Sequence, residues 1–184
     1  QEDGAGFAMT KRIALVASTE YKKQYNLNSC NLILGNMYGE YDNFSLTDSH
    51  VIPATIRKIF EAKEENKDHV TMWGSGNPQR DFVYVDDVAN TIPFFIEEYD
   101  TSNPINISSG VTTSIKELVE TIKHILDYKG RIVWDISKGD GQMLKIFDTT
   151  KMKNLGLTCN TSLNEGLKKT IDWYVLNHDK NIRL

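Results

Sequence analysis

Short apolar runs alternate along the chain with longer stretches whose apolar residues recur every three or four positions. The short runs are typical of buried strands, and the longer stretches are typical of helices with one face against a core. Strands are predicted at 30–36, 70–73, 81–85, 105–107 and 131–135. Helices are predicted at 6–25, 50–65, 86–98, 114–126 and 162–176. This alternation indicates an α/β fold in which the strands pair in parallel.

The first two helices each have an apolar face that we expect to pack against the sheet. These faces are formed by Ile13, Val16 and Ala17 in the first helix and by Ile52, Ile56 and Ile59 in the second. Phe7 and Lys11 are four residues apart, a spacing that places both on one face of the first helix. The ring of Phe7 and the ammonium of Lys11 are therefore predicted to point the same way.

Three helices begin at residues that commonly cap a helix. Asp86 or Asp87 is expected to cap the third helix, which contains Pro93, a residue able to kink it. The spacing of Ser114 to Glu117, and of Ser162 to Glu165, is that of a capping box. In this motif the two side chains bond each other's backbone N–H groups. These signals support the starts of the last three helices.

Composition and charge exclude several classes of protein. The 184 residues are 40% hydrophobic and 25% charged, as in a globular protein. The net charge of −4 argues against nucleic-acid binding, which needs a basic face. No apolar run is long enough to span a membrane, and no secretory leader is recognised. Cys30 and Cys159 do not have a metal-binding spacing, so we expect two reduced thiols in a cytoplasmic protein, and no metal site.

One run of the sequence is more specific than its predicted secondary structure. Residues 80–89 read RDFVYVDDVA, which closely resembles a segment of the extended short-chain dehydrogenases/reductases, the family of nucleotide-sugar epimerases and dehydratases. Three segments are similar to family members that catalyse NADPH-dependent 3,5-epimerisation and 4-reduction of GDP-4-keto-6-deoxy-D-mannose. They read DNFSLTDSHVIPATIRK, WGSGNPQRDFVYVDD and YKGRIVWDISKGDGQMLKIFD. The resemblance extends from Phe7 to about Tyr174, with the segments in the same order.

This resemblance implies a fold and a domain organisation. The chain would contain the later part of an extended short-chain dehydrogenase Rossmann sheet and a small α/β substrate-binding domain. Residues 1–48 would be a remnant of the Rossmann cofactor domain, and 49–184 mostly the substrate-binding domain, with 80–110 returning to the Rossmann sheet. We expect this chain to lack the glycine-rich half of the cofactor domain, because Gly4-Ala5-Gly6 has no preceding strand and no third glycine. The intact enzyme is expected to use NADPH and a GDP-sugar, and to form a homodimer.

The resemblance also assigns a cofactor site. Lys11 matches the lysine of the family's Tyr-x-x-x-Lys helix, which bonds the nicotinamide ribose and lowers the pKa of the tyrosine phenol. His50 matches a histidine that contacts the cofactor and acts as an acid in epimerisation. Where the family backbone meets the nicotinamide, Leu34, Gly35, Asn36 and Met37 replace the usual Pro-Thr-Asn-Leu. Without the resemblance, Lys11 reads as a solvated helix lysine and His50 as a polar residue at a helix start.

Four further residues match family positions that hold the GDP-sugar. Lys58 and Arg80 would bind the diphosphate, the first as a point charge and the second as a planar fork. Trp73 would line the sugar-nucleotide site, and Asp140 would accept hydrogen bonds from substrate hydroxyls. The residues alone leave other interpretations open: an ion pair of Arg80 with a neighbouring aspartate, a core position for Trp73, and turn chemistry at Asp140-Gly141.

The chain departs from the family at the catalytic tyrosine. Phe7 stands at that position, and a phenyl ring has no proton to donate to the C4 oxygen during reduction. General acid catalysis contributes about 10²–10⁴-fold, so we expect Phe7 to reduce turnover severely while leaving the shape of the pocket. The family's serine and epimerisation cysteine are expected upstream of this chain, and Cys30 lies on a strand at a different place.

Three explanations fit these departures: a piece of a longer enzyme, a split or decayed gene, or an engineered Phe7. Two other functions also remain open. One is another nucleotide-sugar epimerase or reductase of the same family, and the other is a catalytically silent binding or assembly module. The coding sequence upstream of Gln1 would discriminate between them, because an active member needs a glycine-rich segment and a serine there.

Overall fold

The computed structural model describes residues 5–179, so Gly4 of the Gly4-Ala5-Gly6 run lies outside the described residues. Its helices are α1 (Ala5–Tyr25), α2 (Val51–Glu64), α3 (Val85–Glu97), α4 (Ile115–Ile125), α5 (Thr150–Asn154) and α6 (Leu163–Asn177). Its strands are β1 (Leu32–Leu34), β2 (Asn36–Tyr38), β3 (His69–Trp73), β4 (Gln79–Tyr84), β5 (Ile105–Ile107), β6 (Thr112–Ser114), β7 (Arg131–Asp135) and β8 (Leu144–Lys145). The element expected at 30–36 is two strands separated by Gly35, and the strand expected at 81–85 begins and ends earlier. The sequence did not predict α5, β6 and β8, because such short elements show no periodic pattern.

The strand β4 is the centre of the strand arrangement. Its second half pairs in parallel with β2, and its first half pairs in parallel with β8 and antiparallel with β6. The strands β1 and β5 form one parallel pair, and β3 and β7 form another. Parallel pairing is therefore confirmed except between β4 and β6. The expectation was wrong there because β6 follows β5 through a turn at Gly110 rather than through a crossover helix.

Buried side chains form two cores, and β4 contributes to both. Phe82 and Tyr84 belong to the larger core, with residues of α2, α4, α6 and β3, while Val83 belongs to a smaller core with residues of β5, α3 and α5. This division follows from the strand, since successive side chains point to opposite faces. The predicted inner face of α2 is confirmed: Ile52, Ile56 and Ile59 are at most 2% exposed.

The inner face predicted for α1 is wrong. Ile13 and Val16 are 60% and 59% exposed, Ala17 is half-buried, and α1 contributes no described residue to either core. Polar contacts connect this helix to the remainder of the structure, such as the ion pair between Lys22 and Asp100 at 2.6 Å. Periodicity predicts which residues share a helix face, but it does not predict whether another element covers that face.

Both serines cap their helices, but only the capping box at Ser114 is complete. Ser114 and Glu117 form a complete capping box at the start of α4. At the start of α6 the hydroxyl of Ser162 accepts a hydrogen bond from the N–H of Glu165 at 3.2 Å. The carboxylate of Glu165 pairs with Lys169 at 3.2 Å, one turn further along the helix.

The cap predicted for α3 is wrong. Tyr84, the last residue of β4, occupies the N-cap position, so Asp86 and Asp87 fall in the first turn of the helix. Asp87 instead accepts hydrogen bonds from the N–H and the hydroxyl of Thr161, at 2.8 and 2.7 Å. A strand that runs directly into a helix leaves no loop residue to act as a cap. Pro93 lies inside the continuous helix α3.

Cys30 is half-buried, Cys159 is buried, and neither forms a disulfide. Within residues 5–179, no group of three or more His, Cys, Asp or Glu side chains is arranged to hold a metal ion. In the same range no helix has the length and apolar character needed to cross a membrane.

Candidate functional site

A cleft of about 850 Å³ opens beside β2 and β4. Its walls come from α1, the β1–β2 segment, the loop after β2, the start of α2, and strands β4 and β8. Seven residues predicted from the sequence line it: Phe7, Leu34, Gly35, Asn36, Met37, His50 and Arg80. Lys11, Lys58, Trp73 and Asp140 are not among the lining residues. Lys11 lies beside Phe7, and the other three belong to a neighbouring group.

Gly35 has a structural reason to be glycine. A β-carbon at this position would lie 2.1 Å from Oγ of Ser108, and the Gly35 N–H donates to the carbonyl of Ile107 at 2.9 Å. The threonine that the family usually has here does not fit beside Ser108. The lack of a side chain at position 35, which distinguishes this chain from the family, therefore allows the backbone to pack closely against Ser108.

The side chain of Asn36 is also directed at the protein. Its Nδ2 donates to the backbone carbonyl of Asp81 at 2.6 Å, and its Oδ1 accepts from Lys145 at 3.3 Å. Leu34 and Met37 provide apolar side chains on this wall, and Met37 is 40% exposed.

Phe7 and Lys11 point the same way, as predicted. The Lys11 ammonium lies 5.3 Å from the centroid of the Phe7 ring, which is a cation–π contact. Phe7 is 70% exposed, and Lys11 has no carboxylate partner within residues 5–179. The lysine is thus free to contact a ligand beside a ring that has no hydroxyl group.

His50 occupies the N-cap position of α2, but its side chain makes no capping hydrogen bond. It is exposed and lines the cleft together with Asp42. Burial raises the pKa of the Asp42 carboxyl above its usual value, while the N–H of Asn43 and the nearby imidazole of His50 act in the opposite direction. A carboxyl and an imidazole therefore face the same cavity.

Two cations lie next to each other on the cleft wall. Arg80 and Lys145 are register partners in β4 and β8, and both line the cleft. Arg80 Nη1 donates to the carbonyl of Gln79 at 2.8 Å, and the Lys145 ammonium lies 5.5 Å from the Phe147 ring centroid. Neither has a carboxylate partner in the described part of the chain, so the ion pair considered for Arg80 is not formed.

A second set of residues, called here the Trp73 group, consists of Lys58, Trp73, Ser75, Lys138 and Asp140. Trp73 is 68% exposed, so the core position considered for it is wrong. The ammonium groups of Lys58 and Lys138 lie 5.1 and 5.9 Å from its ring centroid. Burial lowers the pKa of Lys58. Asp140 accepts two hydrogen bonds from Ser75, and these bonds lower the pKa of its carboxyl.

Arg80 connects the cleft with the Trp73 group. A β-carbon at Gly141 would lie 3.5 Å from Arg80 Nη2, so the loop after β7 reaches the guanidinium. Four cations are thus gathered on this side of the molecule without a carboxylate partner in residues 5–179: Lys58, Arg80, Lys138 and Lys145. Because no ion pair within the described residues neutralises any of the four, each is able to contact an anionic ligand.

Asp81 anchors the segments that carry these cations. Its side chain is 0% exposed and accepts hydrogen bonds from Oγ of Ser109 at 2.7 Å and from the N–H groups of Gly110 and Phe147 at 3.1 and 3.4 Å. The carboxylate thereby ties β4 to the turn after β5 and to the segment that follows β8. It positions Lys145 without lining the cleft.

The comparisons with known proteins bear on this geometry. The sequence model of the NAD dependent epimerase/dehydratase family matches residues 2–108, which is more than half of the chain. The chain belongs to this family. Within it, the chain is 37% identical to GDP-L-fucose synthase of Escherichia coli over 183 residues, covering 95% of this chain and 57% of that protein. It is 39% identical to GDP-L-colitose synthase of Yersinia pseudotuberculosis over 148 residues, covering 79% of this chain and 47% of that protein.

A solved structure shows the same fold. The GDP-L-fucose synthetase of Naegleria fowleri bound to NADP superposes with a TM-score of 0.89 at 27% identity, covering 97% of this chain and 57% of that chain. The α/β fold expected of an extended short-chain dehydrogenase/reductase is therefore confirmed. This epimerase/dehydratase family chain spans about half the length of the curated relatives that it matches.

Sequence reasoning missed Ser75, Lys138 and Lys145 as site residues. All three lie within segments that resemble the family, so the segments themselves were the available signal. Lys145 was missed because β8 has only two residues, and its pairing with Arg80 is visible only in three dimensions.

Proposed function

We propose that this chain binds a GDP-linked sugar and is part of an enzyme that carries out NADPH-dependent 3,5-epimerisation and 4-reduction of GDP-4-keto-6-deoxy-D-mannose to GDP-L-fucose. The observation that carries the proposal is the pairing of Arg80 and Lys145 on the cleft wall, next to the cations of the Trp73 group. Adjacent cations without carboxylate partners suit a diphosphate. Relatives named for GDP-L-fucose and GDP-L-colitose synthesis support the GDP-sugar as the substrate class.

Each cation would contact the diphosphate in its own way. The planar guanidinium of Arg80 can bond two phosphate oxygens at once, whereas Lys145 and Lys58 act as point charges. Trp73 would line the nucleotide-sugar site, and the exposed carboxylate of Asp140 would accept hydrogen bonds from sugar hydroxyls. The residues with these roles lie in the cleft and in the Trp73 group, and Arg80 lies between the two.

The described residues fit the nicotinamide side of a dinucleotide. Leu34 and Met37 supply an apolar wall, and Lys11 supplies a cation that has no carboxylate partner in residues 5–179. Lys11 would bond the ribose hydroxyls, while Leu34 and Met37 would exclude water from the ring. When bound, NADPH supplies the hydride for the reduction.

We assign the proton-donating roles to His50 and to the residue at position 7. His50 is exposed in the cleft, where its imidazole would donate a proton to a carbon next to the 4-keto group. Phe7 cannot donate a proton to the C4 oxygen. The chain as it stands should therefore bind nucleotide sugar and turn it over poorly or not at all.

A second candidate function is a catalytically silent binding or assembly module of the same family. The observation that favours it is Phe7, which occupies the tyrosine position at the cleft and leaves the cations of the binding site in place. This candidate predicts GDP-sugar binding that no substitution at position 7 converts into turnover. A reductase or epimerase for a different GDP-sugar would instead bind GDP but prefer another ketosugar.

The test follows NADPH oxidation with GDP-4-keto-6-deoxymannose. It compares the chain as given, a version extended by the coding sequence upstream of Gln1, and that extended version with Phe7→Tyr. We expect Phe7→Tyr to raise the rate of the extended protein by about 10²-fold or more, because it restores a general acid. No gain, with GDP binding intact, would support the silent module and contradict the assigned effect of Phe7.

We propose three further properties of the intact enzyme. One is a division into a cofactor-domain remnant at 1–48 and a mostly substrate-binding part at 49–184, with 80–110 returning to the Rossmann sheet. The smaller core supports this return, because Leu32 and Leu34 pack there against residues of 80–110. Two thiols without a disulfide support a cytoplasmic location. The exposed apolar face of α1 supports a homodimer, since faces of this kind commonly serve association.

A further inference from the structure

We infer that Ser75 is a positioning residue, which orients the carboxylate of Asp140 and the loop after β7 for the hydroxyl groups of a nucleotide sugar. The inference rests on the proposed function, because it names a new contributor to the same binding site. Ser75 itself does not line the cleft. It acts through Asp140.

The first line of support is that a single residue bonds both carboxylate oxygens of Asp140. The N–H of Ser75 donates to Oδ1 at 2.8 Å, and its hydroxyl donates to Oδ2 at 2.6 Å. Two bonds from one residue fix both the position and the plane of the carboxylate. A carboxylate offers about four acceptor sites, so about two remain for ligand hydroxyls.

The turn before Ser75 is shaped for this close approach. Gly74 has a φ of 79°, a conformation that favours glycine, and a β-carbon there would lie 2.5 Å from Asp140 Oδ1. A side chain at position 74 would thus displace the carboxylate. The Ser75 hydroxyl also accepts a hydrogen bond from the N–H of Asn77 at 3.1 Å. That bond leaves the hydroxyl proton available to Asp140.

The same loop carries two other groups of the site. Lys138 lies over the ring of Trp73, and Gly141 lies next to the guanidinium of Arg80. Asp140 lies between these two positions in sequence, and its bonds to Ser75 are the described hydrogen bonds that join the loop to the turn after β3. Loss of the Ser75 hydroxyl should therefore loosen Asp140 together with the loop residues on both sides of it.

A competing arrangement makes the opposite prediction. If the hydrogen bonds between Ser75 and Asp140 formed only in the absence of ligand and had to break when ligand binds, Ser75→Ala would strengthen the binding of ligand. If Ser75 positions Asp140, the same substitution weakens binding. The sign of the change therefore decides between the two arrangements.

The experiment is a calorimetric titration of this chain with GDP and with GDP-mannose. We expect Ser75→Ala to weaken binding about 5- to 10-fold, which is less than the effect of losing a direct hydrogen bond to a charged group, because the N–H of Ser75 still holds the carboxylate. Ser75→Thr keeps the hydroxyl and should restore the affinity. Asp140→Ala should weaken binding at least as much as Ser75→Ala, and adding Ser75→Ala to it should cause no further loss, because the serine acts through the carboxylate. If Ser75→Ala binds GDP more weakly, the ligand groups that Asp140 contacts are the ribose hydroxyls. If only the binding of GDP-mannose is weakened, they are the hydroxyls of the hexose.

A matched control lies in the same loop. Ser137 donates to Asp135 Oδ1 through its N–H and its hydroxyl, at 3.1 and 2.6 Å, without contacting the turn after β3. Ser137→Ala should change the affinity less than about twofold, since it leaves the Ser75–Asp140 contact intact.

A second readout needs no ligand. The bonds from Ser75 lower the pKa of the Asp140 carboxyl, so Ser75→Ala should raise it when the carboxyl is followed by NMR, and Ser137→Ala should leave it unchanged. Unchanged or tighter binding by Ser75→Ala, with GDP binding by the unmodified chain, would overturn this inference alone. An unmodified chain that binds neither ligand would overturn the proposed function and this inference with it.

Discussion

Arg80 and Lys145 are register partners in the parallel strands β4 and β8, and both line the same cleft. Paired residues of adjacent strands lie about 5 Å apart and project from the same face of the sheet. The side chains of Arg80 and Lys145 therefore leave the sheet next to each other, and neither has a carboxylate partner in residues 5–179. Their repulsion weakens the folded state slightly, and an anion bound between them would remove that effect.

The first prediction concerns these two cations. Arg80→Gln and Lys145→Gln should each weaken GDP binding about tenfold in calorimetric titration, because each removes a charged hydrogen-bond donor to phosphate. The loss should be smaller with GMP, which has one phosphate group. Arg131→Gln is a matched control, since Arg131 is exposed and pairs with Asp68 at 3.4 Å. Equal losses in the control and in the cleft variants would contradict the assignment.

The second prediction concerns the contact between Gly35 and Ser108. Gly35→Ala should lower the free energy of unfolding by about 1–3 kcal/mol, because its β-carbon would overlap Oγ of Ser108. Ser108→Gly should restore most of this loss, since the Ser108 hydroxyl is buried without a described hydrogen-bond partner. Gly139→Ala is the control, because a β-carbon there meets nothing within 4 Å. Urea unfolding is measured for the unmodified protein, the two single variants, their double variant and the control, and full additivity of the two substitutions would argue against the overlap.

The third prediction concerns the buried carboxylate of Asp81. Asp81→Asn should lower the free energy of unfolding by about 2–4 kcal/mol, since an amide N–H₂ would face the N–H donors of Gly110 and Phe147. It should also weaken GDP binding by displacing the segment that carries Lys145. Asp172→Asn, at an exposed position of α6, should leave both quantities nearly unchanged. Stability equal to that of the control would mean that Asp81 is not an anchor.

The fourth prediction concerns alkaline pH. Burial, with the nearby carboxylates of Asp87 and Asp81, raises the pKa of the Cys159 thiol from 9.0 to about 11. Between these values the unfolded chain has released its thiol proton while the folded chain keeps it, so the free energy of unfolding falls as the pH rises. Cys159→Ala should make this fall shallower between pH 9 and 11 in urea unfolding. An unchanged slope would contradict the raised pKa.

The sequence predicted the elements that have strong local signals. The apolar face of α2 and the capping box at Ser114 and Glu117 appear as expected, because both depend on residues within about one helical turn of each other. The predictions failed where a distant residue decides the outcome. Asp87 is not a cap because Thr161 bonds it, and the apolar residues of α1 remain exposed because neither core includes them.

The amino-acid sequence by itself determined the fold class, the family resemblance and the absence of a hydroxyl from the side chain at position 7. These features depend on residue identity and on spacing along the chain. Only the tertiary structure decided that Lys145 stands beside Arg80, that Ser75 bonds Asp140, and that Ser108 fills the space next to Gly35. These contacts join positions 65 to 73 residues apart, and side chains so distant in sequence meet only after strand pairing and loop closure have brought them together.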